Sequence, residues 1–221
     1  MNAWSYSSLN LFKQCPRKYH RLRVVKDIKE SAAEHLIYGT EVHRAAEEYG
    51  RDGTPIPQKF SYIKQYVDAL TQAPGIKYYE YKMGLTRELE PCDFNADQVW
   101  WRGIADFIAI PEGGKTAILV DYKTGKSAKY ADTTQLELLA LAIFAHFTHV
   151  VVVQAGLLFV VSKEFIEVEL NRANKTELWK KWIQETGRLD ECFAHETWNP
   201  KPNFTCRKFC PVLDCEHNGR N

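Results

Sequence analysis

The sequence predicts an α/β domain in which helices flank a central mixed β-sheet, and three observations lead there. Helical periodicity opens the chain, strand-like runs fill its middle, and a strongly apolar helix then separates those strands from two more. At 221 residues, 45% hydrophobic and 26% charged, the chain has the composition of one globular domain with its own core, 1–221. The longest apolar stretch, Leu138 to Phe147, is too short to span a bilayer and contains His146. The opening "MNAWSYSSLNLFK" has no basic segment followed by an apolar one, so no secretory signal is read and a cytoplasmic protein is expected.

Residues 5–25 read as the first helix, with Ser5, Ser7 or Ser8 as its cap, Leu9, Phe12, Tyr19 and Leu22 as its apolar positions and Pro16 as a break. The second helix covers 33–50 and ends at Gly50; Pro55 and Pro57 mark a loop before a third at 60–72. Strands follow at 76–86, 98–110 and 116–124, with Gly113-Gly114 as a two-residue hairpin turn between the last two. The apolar helix covers 133–147, where Thr134 and Glu137 have capping-box spacing. A strand hairpin at 149–161 and 165–170 comes next, then an amphipathic helix at 173–196. Pro200 and Pro202 release the chain into a cysteine-rich tail.

The stretch "ILVDYKTGK" at 118–126 carries opposite charges at Asp121 and Lys123, two residues apart on one face of an apolar strand. A Gly113-Gly114 turn sets Asp106 directly opposite Asp121, and two facing carboxylates repel unless a cation lies between them. Two acids and a lysine on one patch suit Mg²⁺ or Mn²⁺ held for phosphodiester hydrolysis; they equally suit a plain edge-of-sheet ion pair. His43 lies one turn after Gly39, whose small size lets that helix face approach the sheet, and Gln135 opens the apolar helix just beyond Lys123. Net charge is only +1, yet Lys13, Arg17, Lys18, Arg21, Arg23 and Lys26 form a basic run without an acid, fit for phosphates or for a solvated helix face. Trp4, Tyr6, Trp100 and Trp101 suit stacking on bases or burial in the core, and Tyr130 reads as an exposed substrate contact.

Cys206, Cys210 and Cys215 crowd the tail, Cys15 stands near the start, and Cys92 and Cys192 are isolated and read as core or half-buried thiols. Clustered thiols in a reducing compartment point to metal rather than disulfides. Cys206, Cys210, Cys215 and His217 offer one structural Zn²⁺ set, with a tight single-residue gap before His217.

In this order, "SYSSLNLFKQCPRKYH", "GTEVHRAAE", "GIADFI", "ILVDYKTG" and "QLELLALA" resemble the PD-(D/E)XK nuclease superfamily, in its RecB-like branch of iron–sulfur exonucleases. That group includes the CRISPR-adaptation nuclease, the AddB nuclease domain and small phage relatives. The resemblance implies a restriction-endonuclease-like core with an N-terminal helix and a cysteine tail forming a metal-cluster subdomain, 1–30 with 197–221. It implies that His43, Asp106, Asp121 and the backbone carbonyl of Tyr122 are metal ligands and Lys123 the catalytic lysine. Gln135 would contact DNA or the carboxylates, and Glu80 stands where relatives often carry an acid. The family's aromatic four residues beyond the glutamine is Leu139 here. Cys15, Cys206, Cys210 and Cys215 would hold a 4Fe–4S cluster, although C-x₃-C-x₄-C replaces the relatives' usual C-x₂-C-x₅-C.

The implied activity is metal-dependent DNA exonuclease action at free ends or in single strands, within recombination, repair or phage DNA processing. Arg17, Lys18, Arg21 and Tyr130 would meet the DNA. Recombination or single-strand-binding partners and homo-oligomers are open. Rival readings are an inactive DNA-binding scaffold on the same fold, an adaptor with a zinc-stabilised tail, and a hydrolase of RNA.

Overall fold

The structure is a computed structural model that describes residues 3–29 and 34–220. The expected boundaries at residues 30 and 33 therefore lie outside the described residues. The chain divides into two compact units, Met1–Ala32 with Trp179–Asn221, and Ala33–Leu178.

In the contiguous unit, α3 (Glu34–Asp52) runs past the expected stop at Gly50. That glycine is a packing residue instead of a terminus: a Cβ there would lie 2.3 Å from Cε1 of Tyr79. The third predicted helix is a 3₁₀ segment, Gln58–Ile63, followed by α4 (Lys64–Thr71). Strands β1 (Ile76–Leu85), β3 (Trp101–Ile110) and β4 (Thr116–Lys123) match the three predicted. A two-residue strand, β2 (Pro91–Cys92), pairs with the end of β1. Helix α5 (Thr134–His146) then leads to β5 (Val152–Phe159) and β6 (Glu164–Asn171).

The sheet order is β2-β1-β3-β4-β5-β6, antiparallel throughout except for the parallel β4–β5 pair. A mixed sheet of this kind needs a crossover at its parallel pair, and α5 supplies it. Alternation along the strands feeds two layers. Phe107, Ala109, Val120, Tyr122 and Leu158 pack with Val42, Ala45 and Ala46 of α3, Phe60 and Ile63 of the 3₁₀ segment and Val67 of α4. The opposite parity carries Asp121, Lys123 and the buried Leu119 and Leu157. Helix α5 is buried nearly all round, at Leu136 and from Leu138 through Ala145, so it shows no polar stripe. Its start differs from the predicted capping box: Thr133 is the N-cap, and Asp132 Oδ1 accepts from the Thr134 N–H at 2.9 Å and hydroxyl at 2.6 Å.

In the other unit the first predicted helix is broken. Cys15 is extended (φ −164°, ψ 111°), which ends α1 (Tyr6–Gln14) and caps α2 (Pro16–Tyr19), with Pro16 at its first position. A π-turn at His20–Val25 completes the segment. Of the three serines, Ser5 is the N-cap: its hydroxyl accepts the Ser8 N–H, and the Ser8 hydroxyl accepts the Ser5 N–H in return. The last helix, α6 (Lys175–His195), contributes to this unit from Trp179 onward. Trp198 ties the unit's aromatic core together, stacked on His20 at 4.8 Å and edge-on to Phe193 at 5.0 Å. Trp4 in this unit, and Trp100 and Trp101 in the other, are buried, so these three pack cores and are not free to stack on bases. Among the described residues, no helix is long and apolar enough to cross a membrane.

Candidate active site

The site grows from the register of three neighbouring strands. Pairs Phe107–Val120, Ile108–Leu119 and Ala109–Ile118 put Asp106 and Asp121 at the next facing positions, as the sequence predicts. The turn itself differs: Gly114 N–H donates to the Pro111 carbonyl at 2.9 Å, so Glu112 and Gly113, not the two glycines, are its central residues. The register survives because the apolar faces of β3 and β4 specify it independently of the turn. On the other side of β3, pairs Tyr79–Phe107 and Tyr81–Ala105 leave Glu80 facing Asp106. Three carboxylates, Glu80, Asp106 and Asp121, thus stand in one row across β1, β3 and β4.

The ladders open at that row. Asp106 Oδ2 accepts the Tyr122 N–H at 2.6 Å, a side chain standing where a backbone partner would otherwise be. Glu80 has a left-handed backbone (φ 46°), which for a non-glycine residue costs about 1–2 kcal/mol. Such strain in mid-strand interrupts pairing and re-aims the side chain. His43 comes from α3, its Nδ1 3.2 Å from Asp106 Oδ1 and 3.8 Å from Glu80 Oε1. The small size of Gly39 is not what allows this approach, since a Cβ there would make only an ordinary contact with Thr124 Oγ1 at 3.4 Å. Among the described residues, His43, Glu80 and Asp106 form the one His/Cys/Asp/Glu group whose ligand atoms all lie within 4.8 Å of one another.

Lys123 is held on the other flank. Its Nζ lies 2.7 Å from Asp121 Oδ2 and donates to Gln135 Oε1 at 2.9 Å, so β4 and the first turn of α5 fix the ammonium jointly. Asp106 and Asp121 are each only 8% exposed. Burial, and then the negative charge of Asp121, push the Asp106 carboxyl up to about 6 against the pull of His43. Burial opposes a charged His43, but Asp106 and Glu80 outweigh it and push the imidazole up to about 10. A proton on His43 thus offsets part of the negative charge of the carboxylate row. An open groove of about 590 Å³, lined by Leu36, Gly39, Thr40, His43, Arg44, Glu47, Glu80 and Thr124, leads to these groups.

The donor set fits a hard divalent cation: carboxylate oxygens and one imidazole, held close, carrying an excess of negative charge and open to a groove. The structure brings His43, Asp106, Asp121, Lys123 and Gln135 together, and with them Glu80, which the resemblance marked as standing where relatives often carry an acid. Leu139 lies over Gly103, where a Cβ would come within 3.2 Å of its Cδ2. Tyr130 is 87% exposed.

In the other unit, Cys15, Cys206, Cys210 and Cys215 line one small cavity, together with His217 and Lys201. Cys15 Sγ accepts the Lys201 N–H and Cys206 Sγ the Asn203 N–H, both at 3.4 Å. Arg17 points its guanidinium at Cys215 Sγ (3.7 Å) and pairs with Glu216, while Arg21 pairs with Asp27 and Asp214 at 2.8 and 2.7 Å. The acids that take up these arginines lie almost two hundred residues away for Glu216 and Asp214, beyond the reach of local sequence reading.

The pattern that defines the PD-(D/E)XK nuclease superfamily matches residues 3–90 and, in a second overlapping stretch, 62–215. Among solved structures, the protein SSO0001 superposes with a TM-score of 0.54 at 16% identity, over 98% of this chain and 87% of its own. A candidate exonuclease from Eubacterium rectale also gives 0.54, at 10% identity, over 99% of this chain and 88% of its own. At these identities the likeness speaks for the fold. No curated protein matches the sequence.

Proposed function

Because the chain belongs to the PD-(D/E)XK nuclease superfamily and has its restriction-endonuclease-like fold, we propose that it is a metal-dependent DNA exonuclease, acting at DNA ends or in single strands. The observation that carries this reading is the row Glu80–Asp106–Asp121, flanked by an imidazole on one side and a doubly held ammonium on the other. An inactive scaffold has no need to keep three acids together at the cost of burial and a strained backbone.

His43, Asp106 and Asp121 would hold Mg²⁺ or Mn²⁺, with Glu80 beside them. In an antiparallel strand the N–H and carbonyl of one residue share an edge, so the Tyr122 N–H bond to Asp106 turns that carbonyl toward the same place. Once bound, the cation supplies charge for the scissile phosphate and a lowered pKa for water. His43 must give up its proton for the cation to enter, because only neutral imidazole is a ligand. Gln135 takes one of the three ammonium protons of Lys123, and Asp121 holds the charge as an ion pair at 2.7 Å, which leaves protons to hold the attacking water or a phosphate oxygen. Asp121 therefore has two tasks, facing the cation and orienting the lysine. The exposed Tyr130 is the candidate base contact.

The cysteine cavity belongs to the same reading as a 4Fe–4S site, serving the subunit's architecture rather than redox chemistry. What supports it is that all four cysteines of the implied set line this one cavity. The N–H donors on Cys15 and Cys206 suit thiolate ligands.

The test is degradation of end-labelled linear and circular DNA with added Mg²⁺ or Mn²⁺. Wild-type protein is expected to shorten linear DNA and spare closed circles, while Asp121→Ala and Lys123→Ala lose activity and keep their fold. Cleavage of closed circles would replace the exonuclease reading with an endonuclease one. An anaerobic preparation that is colourless and free of iron would remove the cluster.

A further inference from the structure

The contiguous basic run that the sequence offers for DNA is partly neutralised: Arg17 and Arg21 face Glu216, Asp27 and Asp214. A different set of cations gathers in the same unit. Lys13, Arg188 and Lys201 line a cleft of about 510 Å³ between α1 and α6, with Gln184 beside them and Phe12 and Pro16 completing the wall. Its single acid, Glu185, is paired with Lys13. Three cations against one carboxylate leave an excess of two positive charges, and among the described residues Arg188 has no carboxylate partner.

Lys201 is the best anchored of the three. Its Nζ donates to the Lys13 carbonyl at 2.9 Å, its backbone N–H donates to Cys15 Sγ, and it lines the cysteine cavity as well as this cleft. A lysine held at both ends loses less freedom on meeting a ligand than a solvated one. The planar fork of Arg188, one helical turn from Gln184, supplies a matching donor for oxygens of a phosphate.

We propose that this cleft is an anion site that grips a backbone phosphate of the DNA strand, apart from the hydrolytic centre and without a part in the chemical step. It rests on the nuclease reading for the identity of the strand. Its geometry also makes it dependent on the cysteine cavity, because Lys201 is fixed through Cys15.

The experiment measures binding of fluorescein-labelled oligothymidylate to the full-length, anaerobically purified protein by fluorescence polarisation. No divalent metal is added, and salt is varied. For single strands the slope of log K against log salt scales as about 0.7 per phosphate contact. Arg188→Glu and Lys201→Glu are each expected to flatten that slope by about 0.7, while Arg188→Lys retains it. Both reversal variants should keep wild-type kcat at saturating DNA, with the loss appearing in KM. Arg188 is exposed on α6, so its reversal tests the site even if Lys201→Glu disturbs the fold. Unchanged slopes in both variants, with wild-type binding intact, overturn the site and leave the nuclease reading standing. Failure of the wild type to bind overturns both. Thymidine 5′-monophosphate should compete only weakly; competition as strong as the oligonucleotide's would overturn the backbone assignment in favour of a free nucleotide.

Discussion

The two units treat charge in opposite ways. Between Ala33 and Leu178, three carboxylates from adjacent strands share a histidine and a lysine, and the balance is left acidic. In the terminal unit, Arg17 and Arg21 are matched by Glu216, Asp27 and Asp214 in pairs that close upon themselves. A buried row of acids is a place waiting for a cation, whereas an exposed set of ion pairs is a fastening. Charge counted along the sequence gives a different impression of the terminal unit, since the basic run looked available for phosphates.

The sharpest way to break this contrast is to remove one member from each side. Asp106→Ala is expected to lower Mn²⁺-dependent hydrolysis by about 10²–10³-fold, in keeping with the loss of one preorganised electrostatic group. Arg21→Ala should leave kcat at the wild-type level and lower the melting temperature of the terminal unit. Paired assays of rate and thermal unfolding decide it, and equal rate losses in the two variants would erase the distinction.

A titration sharpens it further. The folded-state pKa of His43, about 10, lies above its ordinary 6.5, so its contribution to stability is fully present below pH 6.5 and is lost as pH rises toward 10. Asp106, raised from 3.8 to about 6, gives stability that is present below pH 3.8 and lost as pH rises through 6. Both signs favour the protonated site at low pH, where protons compete with a metal. The increase in melting temperature on adding Mn²⁺ should therefore be small at pH 5.5 and grow through pH 8. A gain independent of pH would mean that the ion binds elsewhere.

Two glycines of one helix offer a finer test. Gly50→Ala meets the ring of Tyr79 and should destabilise by about 1–3 kcal/mol, the usual range for overpacking. Gly39→Ala makes only an ordinary contact with Thr124 and should be neutral or stabilising by up to about 1 kcal/mol through helix propensity. Denaturant unfolding of both variants separates the cases.

The smallest effect concerns Glu80. Glu80→Gly relieves a left-handed backbone and should stabilise the metal-free protein by about 1 kcal/mol while weakening Mn²⁺ binding; Glu80→Ala should weaken binding without that gain. Equal stability of the two variants would show that the backbone there is unstrained.

Much of the hydrolytic site was legible because it depends on period and register. The alternation of β3 and β4 fixes which residues face each other, so Asp106 and Asp121 could be paired before the true turn at Glu112–Gly113 was known. The placement of His43 was legible through helix spacing, whereas Gly39 turns out to have room for a Cβ. What could not be read was non-local or contrary to propensity. No pattern announces a left-handed glutamate inside a strand, and Glu216 and Asp214, partners of Arg17 and Arg21, lie at the far end of the chain. The short β2 carries a proline and only two residues, too little for periodicity to register. The break at Cys15 was legible only as Pro16, which is equally at home in the first turn of a new helix.

The nesting of one unit inside the other sets a timetable for biosynthesis. Residues 33–178 are contiguous and can fold as soon as they leave the ribosome, but Cys15 must wait for Cys215, a further 37 residues beyond Leu178. At ordinary elongation rates that delay is roughly two to seven seconds. During it the newborn chain would carry the residues of the hydrolytic centre complete and the cysteine pocket unfinished, so the pocket is the last feature of the molecule to close.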